Sequence, residues 1–583
     1  MLCRVSPVTR ILCAAILFYF FNLFTATANT QEFCGVRIIS SENITFSKTE
    51  KSWLCGNSDS PEWNNIPPWQ KKIFLKNYLQ SRGFHKPVFH ESTDLLTVET
   101  GIEQKITSFE IKNAPPEINS SKNRQIIEKK LTPTNIDIGE NWVKRELQSL
   151  GYPCPNIITK AFTDTGKLTL AVDSGPIHYF GKIKSEGGID LPYEILDRYT
   201  AFVDQQKFNI QLLELSSRRI LNDDLYISTY YDVLCDKTQK PTIIRRFIPA
   251  LPRLFTFGVG FDTEQGPILR SRYRRVRIGH AANAWESILL ASFKEQSLNS
   301  FFLWSFSSNL DSRLVLIPRV ELERLNETHF ETNTIRFSTM FGNGWEKEDF
   351  SFELKLGPLL ERINIKRGPG RTHENNIKIA SNISARSHMF EYFINEPRTG
   401  WSFALNTNSQ IAGFLSEQTV HKININHHTL FNIHNYNPPF LIIGWRGSIA
   451  SYFLNQREDF PIDIPINDRF FLGGDENIRG FGRKSLPNDN FGFLTAIYQG
   501  IEFRAGDWYT FPIKPLLFFD IAKAGTKARH INGTLYYAPG FGARYNSPFG
   551  TIRSTLGYGR IIDNAKNALD KNLQFFFSLG REF

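Results

Sequence analysis

Few residues in this chain are spaced for covalent chemistry. The glycine-rich stretch from Gly474 to Gly480 has the wrong spacing for a phosphate loop and lacks the lysine that would reach a phosphate. Neither Gly-x-Ser-x-Gly nor His-Glu-x-x-His occurs, and no Cys-x-x-Cys or Cys/His cluster offers a metal site, so the reading is of a protein that is not an enzyme and needs no cofactor. What remains is electrostatic. Arg479 stands among glycines and aromatics in the stretch Arg469-Phe-Phe-Leu-Gly-Gly-Asp-Glu-Asn-Ile-Arg-Gly-Phe481, where backbones approach closely and one permanent cation can be fixed by a partner.

The elements around it must explain an arginine held that way. Among 583 residues there are 50 Phe, 19 Tyr and 10 Trp, yet the mean hydropathy is only -0.29. That combination suits strands whose two faces meet different surroundings. The net charge of +10 is spread through strand-like segments rather than gathered in one run, which argues against a nucleic-acid partner. Arg4 and Arg10 precede an apolar run from Ile11 to Phe24 and a small-x-small site at Ala26-Thr27-Ala28, predicting a signal peptide over residues 1–28. The four cysteines beyond it, Cys34, Cys55, Cys154 and Cys235, are compatible with two disulfides in an exported chain. Cys34 with Cys55 is the local pairing; Cys154 with Cys235 would then join two successive modules.

A repeat runs through the first half. Leu79-Gln-Ser-Arg-Gly-Phe84 returns as Leu147-Gln-Ser-Leu-Gly-Tyr152 and, more faintly, as Leu221-Asn-Asp-Asp-Leu-Tyr226, at spacings of about seventy residues. Before each lies a helical pattern, such as Ile73, Leu75, Tyr78 and Leu79, or Val143, Leu147 and Leu150; Gly83 and Gly151 stand where a helix end needs a left-handed residue. Two strand-like runs follow each copy. The expectation is three small α+β modules of the order strand, helix, helix, strand, strand, over residues 33–103, 104–176 and 177–250. Their exposed sheet edges could accept an extended client segment.

From Leu254 the pattern changes. Phe255, Phe257, Val259 and Phe261 alternate with Thr256, Gly258, Gly260 and Asp262, and the same two-faced pattern returns between Leu573 and Phe583. Turn residues at Gly342-Asn-Gly344, Arg367-Gly-Pro-Gly370, Asn437-Pro-Pro439 and Asp563-Asn564 divide the runs between. Without spanning helices, only a closed barrel satisfies every backbone group in lipid, so residues 254–583 read as a transmembrane antiparallel β-barrel of about 16 strands.

The motifs within that half resemble the outer-membrane assembly (BamA) and two-partner-secretion superfamily, whose members carry polypeptide-transport-associated (POTRA) domains. Ile478-Arg-Gly-Phe481 resembles its loop motif, Phe257-Gly-Val-Gly-Phe-Asp-Thr-Glu-Gln-Gly-Pro267 its first strand and hairpin, and Phe518-Phe-Asp520 its strand with an inward aspartate. Gly540 to Gly550 resembles its penultimate hairpin, and Phe583 its terminal signal. Three modules, rather than two or five, resemble the translocation-and-assembly-module branch. The resemblance implies a loop folded back into the lumen, with Arg479 paired to Asp520, Glu502 as a second candidate, and Gly480 and Phe481 packed alongside. It implies a seam between first and last strands, at Phe257, Gly258, Gly260, Phe577, Gly580 and Phe583, where a client strand could pair. It also implies outer-membrane lipid, unfolded barrel or autotransporter clients and a periplasm-spanning partner of the TamB type. A two-partner-secretion pore uses the same loop but normally carries two modules and a plug helix; a passive porin leaves the modules without a purpose.

Overall fold

Alternating sequence becomes strand, and the short amphipathic stretches become the few helices that cover small sheets. The computed structural model describes residues 29–56, 66–92, 95–123, 125–187, 191–236, 240–306, 312–393, 397–411, 413, 419–454, 464–487, 491–506, 512–532, 534–548, 550–562 and 571–579. The expected signal peptide, Gly580, Phe583 and the turn at Asp563-Asn564 lie outside the described residues. The chain divides into two compact units.

The first unit holds two sheets. In one, β1 (Asn29–Phe33), β2 (Val36–Ser40), β3 (Val88–Glu91) and β4 (Leu96–Glu99) lie in the order β1-β2-β4-β3, with β2 and β4 parallel. Helices α1 (Lys48–Cys55) and α2 (Pro68–Ser81) accompany it. A capping box starts α1: the Glu50 N–H donates to the Ser47 hydroxyl while the Ser47 N–H donates to the Glu50 carboxylate. Leu75, Tyr78 and Leu79 of α2 are buried with Val36, Ile38, Leu96 and Val98. The helix stops because Gly83 takes a φ of 98°, letting the Phe84 N–H close back on the Leu79 carbonyl at 2.9 Å. A disulfide joins Cys34, between β1 and β2, to Cys55 at the end of α1. In the other sheet, β5 (Ser108–Lys112), β6 (Asn156–Phe162) and β7 (Lys167–Asp173) lie in the order β5-β7-β6.

Helix α3 (Pro133–Ser149) ends by the same device, with Gly151 at φ 100° and the Tyr152 N–H on the Leu147 carbonyl at 3.1 Å. The recurring Leu-x-x-x-Gly-aromatic signature is therefore a helix stop. Its faint third copy has no glycine, and Asp224, at φ 55°, takes the left-handed position. The expected pair of helices is present in the first module as α1 and α2, whereas in the other two a 3₁₀ segment stands in the place of the first helix. Around 114–122 a short 3₁₀ turn, Ser120–Lys122, stands instead of a helix, since Pro115 and Pro116 lack the N–H groups that a helix interior needs. The third module likewise has a 3₁₀ segment, Tyr193–Tyr199, ahead of α4 (Ile210–Asn222).

The second unit contains that third module and the barrel. Strands β8 (Lys184–Gly187), β9 (Tyr226–Cys235) and β10 (Pro241–Pro249) form a sheet in the order β8-β10-β9. Cys235, at the end of β9, is disulfide-bonded to Cys154. The barrel is closed and consecutive from β11 to β26. Its first eight strands are β11 (Arg253–Asp262), β12 (Gly266–Ile278), β13 (Asn283–Ala291), β14 (Glu295–Ser305), β15 (Val315–Asn326), β16 (Glu331–Glu346), β17 (Phe350–Arg367) and β18 (His373–Ser387). After α5 (His388–Tyr392) come β19 (Gly400–Gln410), β20 (Val420–Asn432), β21 (Leu441–Leu454), β22 (Thr495–Ala505), β23 (Ile513–Gly525), β24 (Leu535–Ser547), β25 (Gly550–Ile562) and β26 (Lys571–Leu579).

The apolar faces point outward: Phe255, Phe257, Val259, Phe541, Leu573 and Phe575 are exposed on the wall, while Phe576 is buried on the other side. Among the described residues no helix is long and apolar enough to cross a membrane; this barrel presents strands to do so. Gly342-Asn-Gly344, expected as a turn, lies instead within β16, paired to Lys355, Leu354 and Glu353 of β17. A Cβ at Gly342 would sit 2.9 Å from the Lys355 side chain and 3.1 Å from that of Val315, so the glycine serves close side-chain packing, not reversal.

The third module is fastened to one end of the barrel. Leu196, Tyr199, Ile220, Leu225 and Phe247 form one buried cluster with Val276, Ala282 and Ala284 from β12, β13 and their turn. Arg219 of α4 reaches Glu346 at 3.0 Å and Glu391 at 2.7 Å, while Arg274 holds Asp223 at 2.8 Å. Closure is uneven. β11 and β12 pair over ten positions and β25 and β26 over nine, whereas β11 and β26 pair at Phe261↔Leu579 and Asp262↔Ser578 among the described residues. That ladder runs to Leu579, the last described residue of β26.

Candidate functional site

The connection between β21 and β22 turns back into the lumen, and its described part, residues 464–487 and 491–494, is held at three places. At its start Lys378 Nζ donates to Asp468 Oδ2 and Glu361 Oε1, both at 2.6 Å, and the Tyr452 hydroxyl donates to the Asp468 carbonyl at 2.8 Å. Near its end Arg483 and Lys484 approach Glu327 at 3.0 and 3.1 Å. Between these anchors Gly473 and Gly474, at φ 104° and 113°, make a turn that few other residues could adopt. The Asn477 side chain accepts from the N–H groups of Gly473 and Ile478 at 2.6 and 2.7 Å, closing that turn.

Arg479 follows directly and is completely buried. Its Nε donates to Asp520 Oδ2 at 2.7 Å and its Nη2 to Asp520 Oδ1 at 2.9 Å, a bidentate fork on an equally buried carboxylate. Its Nη1 donates to Glu502, so both carboxylates named from the sequence receive the same guanidinium. The flat face lies 3.6 Å from the centroid of the Phe518 ring. Ile478 and Phe481 are buried in one apolar cluster with Leu472, Phe493, Tyr498, Ala522 and Ala538.

Several residues beyond the sequence motif complete the arrangement. The Tyr498 hydroxyl donates to Asp520 Oδ1 at 3.1 Å, Arg504 Nε donates to Glu502 Oε1 at 2.6 Å, and Arg446 stands 4.0 Å from Asp520. Most telling are Gly557 and Gly559 on β25. A Cβ on Gly557 would lie 2.1 Å from the Arg479 carbonyl oxygen, and one on Gly559 2.4 Å from that of Gly480. The loop backbone thus lies flat on bare strand backbone. Two glycines at a spacing of two are a legible sign of such an approach, but nothing in the chain says what approaches.

The loop also reaches the other side of the seam. The Asp475 N–H donates to Glu264 Oε1 at 3.2 Å, in the turn joining β11 to β12, while Arg553 of β25 approaches the Asp475 carboxylate at 3.3 Å. The adjacent Thr263 N–H donates to the Phe577 carbonyl of β26 at 3.0 Å. One loop therefore touches the walls on both sides of the seam. Phe257, Gly258 and Gly260 lie on β11 below that contact, and Phe577 on β26 at it.

Burial first, then the Asp475 carboxylate, push the Glu264 carboxyl up to about 7, with Arg483 opposing. Against the Asp475 N–H, which favours the anion, burial and the Asp475 charge favour the neutral carboxyl in the folded state. Its stabilisation is complete below the ordinary value of 4.5 and is lost as pH rises through about 7. The protection factor of the Asp475 amide, taken relative to the base-catalysed intrinsic rate, should fall across that window, and Glu264→Gln should flatten that fall while retaining protection.

The structure is similar to that of BamA from Haemophilus ducreyi lacking POTRA domains 1-3, at 14% identity over 82% of this chain and 98% of the other, with a TM-score of 0.49. It is also similar to CdiB from Acinetobacter baumannii, at 12% identity over 82% of this chain and 89% of the other, TM-score 0.44. CdiB from Escherichia coli matches at 10% identity over 92% of this chain and 99% of the other, TM-score 0.44. Residues 306–583, which hold β15 to β26 and the arginine loop, match the Omp85 superfamily domain.

Proposed function

We propose that this chain is an outer-membrane assembly factor of the TamA type, which helps insert barrel or autotransporter-type clients by strand pairing at its own seam. The observation that carries this reading is the arginine loop, which from inside the lumen reaches both walls of the β11–β26 seam. An exposed strand edge offers unpaired N–H and C=O groups, and a client strand entering lipid needs such partners, because each unsatisfied backbone group there costs several kcal/mol. The modules lie on the periplasmic side and guide clients or dock a TamB-type partner. Three small sheets ahead of the barrel support the TamA branch over a two-partner-secretion pore.

In this mechanism the residues do no covalent chemistry. Arg479, Asp520 and Glu502 fix the loop to β22 and β23, the glycines of β25 let it lie against the wall, and Glu264 ties it to the first hairpin. Opening the seam then separates β11 from β26 while the loop keeps its anchors. Depleting the chain and quantifying outer-membrane proteins tests the reading. Loss of a defined set of barrel or autotransporter proteins is expected; loss of one secreted exoprotein alone would instead indicate a dedicated export pore.

A further inference from the structure

The first module carries a surface that the seam mechanism does not use. Trp69 and Ile73, one turn apart on α2, are 62% and 53% exposed, and Trp53 of α1 is 54% exposed with its ring edge-on to Phe74 at 5.1 Å. Through Phe74 the Trp53 ring is seated against α2. The position of α1 is fixed covalently, because Cys55, two residues after Trp53, is bonded to Cys34. These large side chains are therefore presented on a braced platform.

Lysines outnumber acidic residues on the two described helices of the platform. Helix α2, Pro-Trp-Gln-Lys-Lys-Ile-Phe-Leu-Lys-Asn-Tyr-Leu-Gln-Ser, contains three lysines and no acidic residue. Lys72 and Lys76 flank Trp69 and Ile73 at helical spacing, and α1 adds Lys48 and Lys51. Among the described residues of the two helices the one acidic group is committed elsewhere: the Glu50 carboxylate accepts from the Ser47 N–H at 2.7 Å and lies 3.6 Å from Arg82. Glu91 offsets Lys72 at 2.7 Å, leaving Lys48, Lys51 and Lys76 exposed. Tryptophan suits a membrane interface, its ring among acyl chains and its N–H among headgroups, and lysine extends an apolar stem while its ammonium stays with phosphate.

We propose that the α1–α2 face of the first module binds the surface of an anionic phospholipid leaflet, with Trp53, Trp69 and Ile73 entering the interface and the surrounding lysines meeting the headgroups. The attraction combines buried apolar area with a surface potential that favours each nearby lysine. This contact is independent of strand pairing at the seam. It gives the module a membrane-facing side.

The full chain, held in nanodiscs of zwitterionic lipid, is mixed with added vesicles that are either zwitterionic or contain phosphatidylglycerol, and vesicle capture is measured. Capture of the anionic vesicles is expected, weakening with added salt as exposed charges are screened. Lys48→Gln with Lys76→Gln should weaken it by about fivefold for each lysine. Trp69→Ser with Ile73→Ser should weaken it by about tenfold. Retention of the Cys34–Cys55 disulfide on a non-reducing gel checks that the variants fold, and the lysine variant changes no buried group. Equal capture of zwitterionic vesicles, wild-type capture by both variants, or loss of capture on adding inorganic phosphate at constant ionic strength would each overturn the proposal.

Discussion

A disulfide between Phe261→Cys and Leu579→Cys is expected to abolish client insertion while leaving the barrel folded. These residues are register partners across the closing ladder. Opposed positions in antiparallel strands place their Cα atoms about 4.5 to 5.5 Å apart, within the span of a disulfide. The alternative pair, Asp262 with Ser578, is unsuitable, because Asp262 Oδ1 accepts from the Glu264 and Gln265 N–H groups and shapes the hairpin. With the edge of β11 locked, an incoming strand has no backbone groups to pair with. Insertion should return on reduction, measured against wild type in the same reductant because Cys34–Cys55 and Cys154–Cys235 are then reduced as well.

Arg479→Ala carries the second large effect. It leaves Asp520 and Glu502 buried without the cation that both hold, a change worth about 3–5 kcal/mol of destabilisation. The shift should appear in the urea midpoint of the compact form on an unheated gel. Arg479→Lys should recover less than half of the loss, since an ammonium cannot reproduce the fork to Asp520, the bond to Glu502 and the flat contact with Phe518 together. A simple charge exchange between positions 479 and 520 is a poor test: it would set an acid beside Glu502 and an arginine near Arg446. A double-mutant cycle of Arg479→Ala with Asp520→Asn isolates the pair instead, with a coupling energy above about 1 kcal/mol expected.

Much of this architecture is legible because its cause is local. Phe255, Phe257 and Val259 alternate with small or polar residues because one strand face meets lipid, and that needs no tertiary knowledge to read. Gly83 and Gly151 mark helix ends for an equally local reason, the left-handed backbone after the last turn. The failures are non-local. Gly342 and Gly344 have turn composition, yet neighbouring side chains from β15 and β17 set their use, as with Gly557 and Gly559 and the loop that lies on them. The same limit applies around the arginine. Its motif points to Asp520 and Glu502, but Tyr498, Phe518, Arg446 and Arg504 join the network only because three strands and one loop meet there.

The placement of clients at the seam, rather than in the lumen, can be measured by thiol cross-linking to a stalled client with cysteines along its last strand. Phe257→Cys places the probe on the outer face of β11, and Ser402→Cys places one against the lumen cavity. Cross-links from position 257 to alternate residues of the client strand, with none from position 402, are the predicted result. Cross-links from position 402 without a pattern at position 257 would contradict strand pairing at the seam and place the client inside the pore.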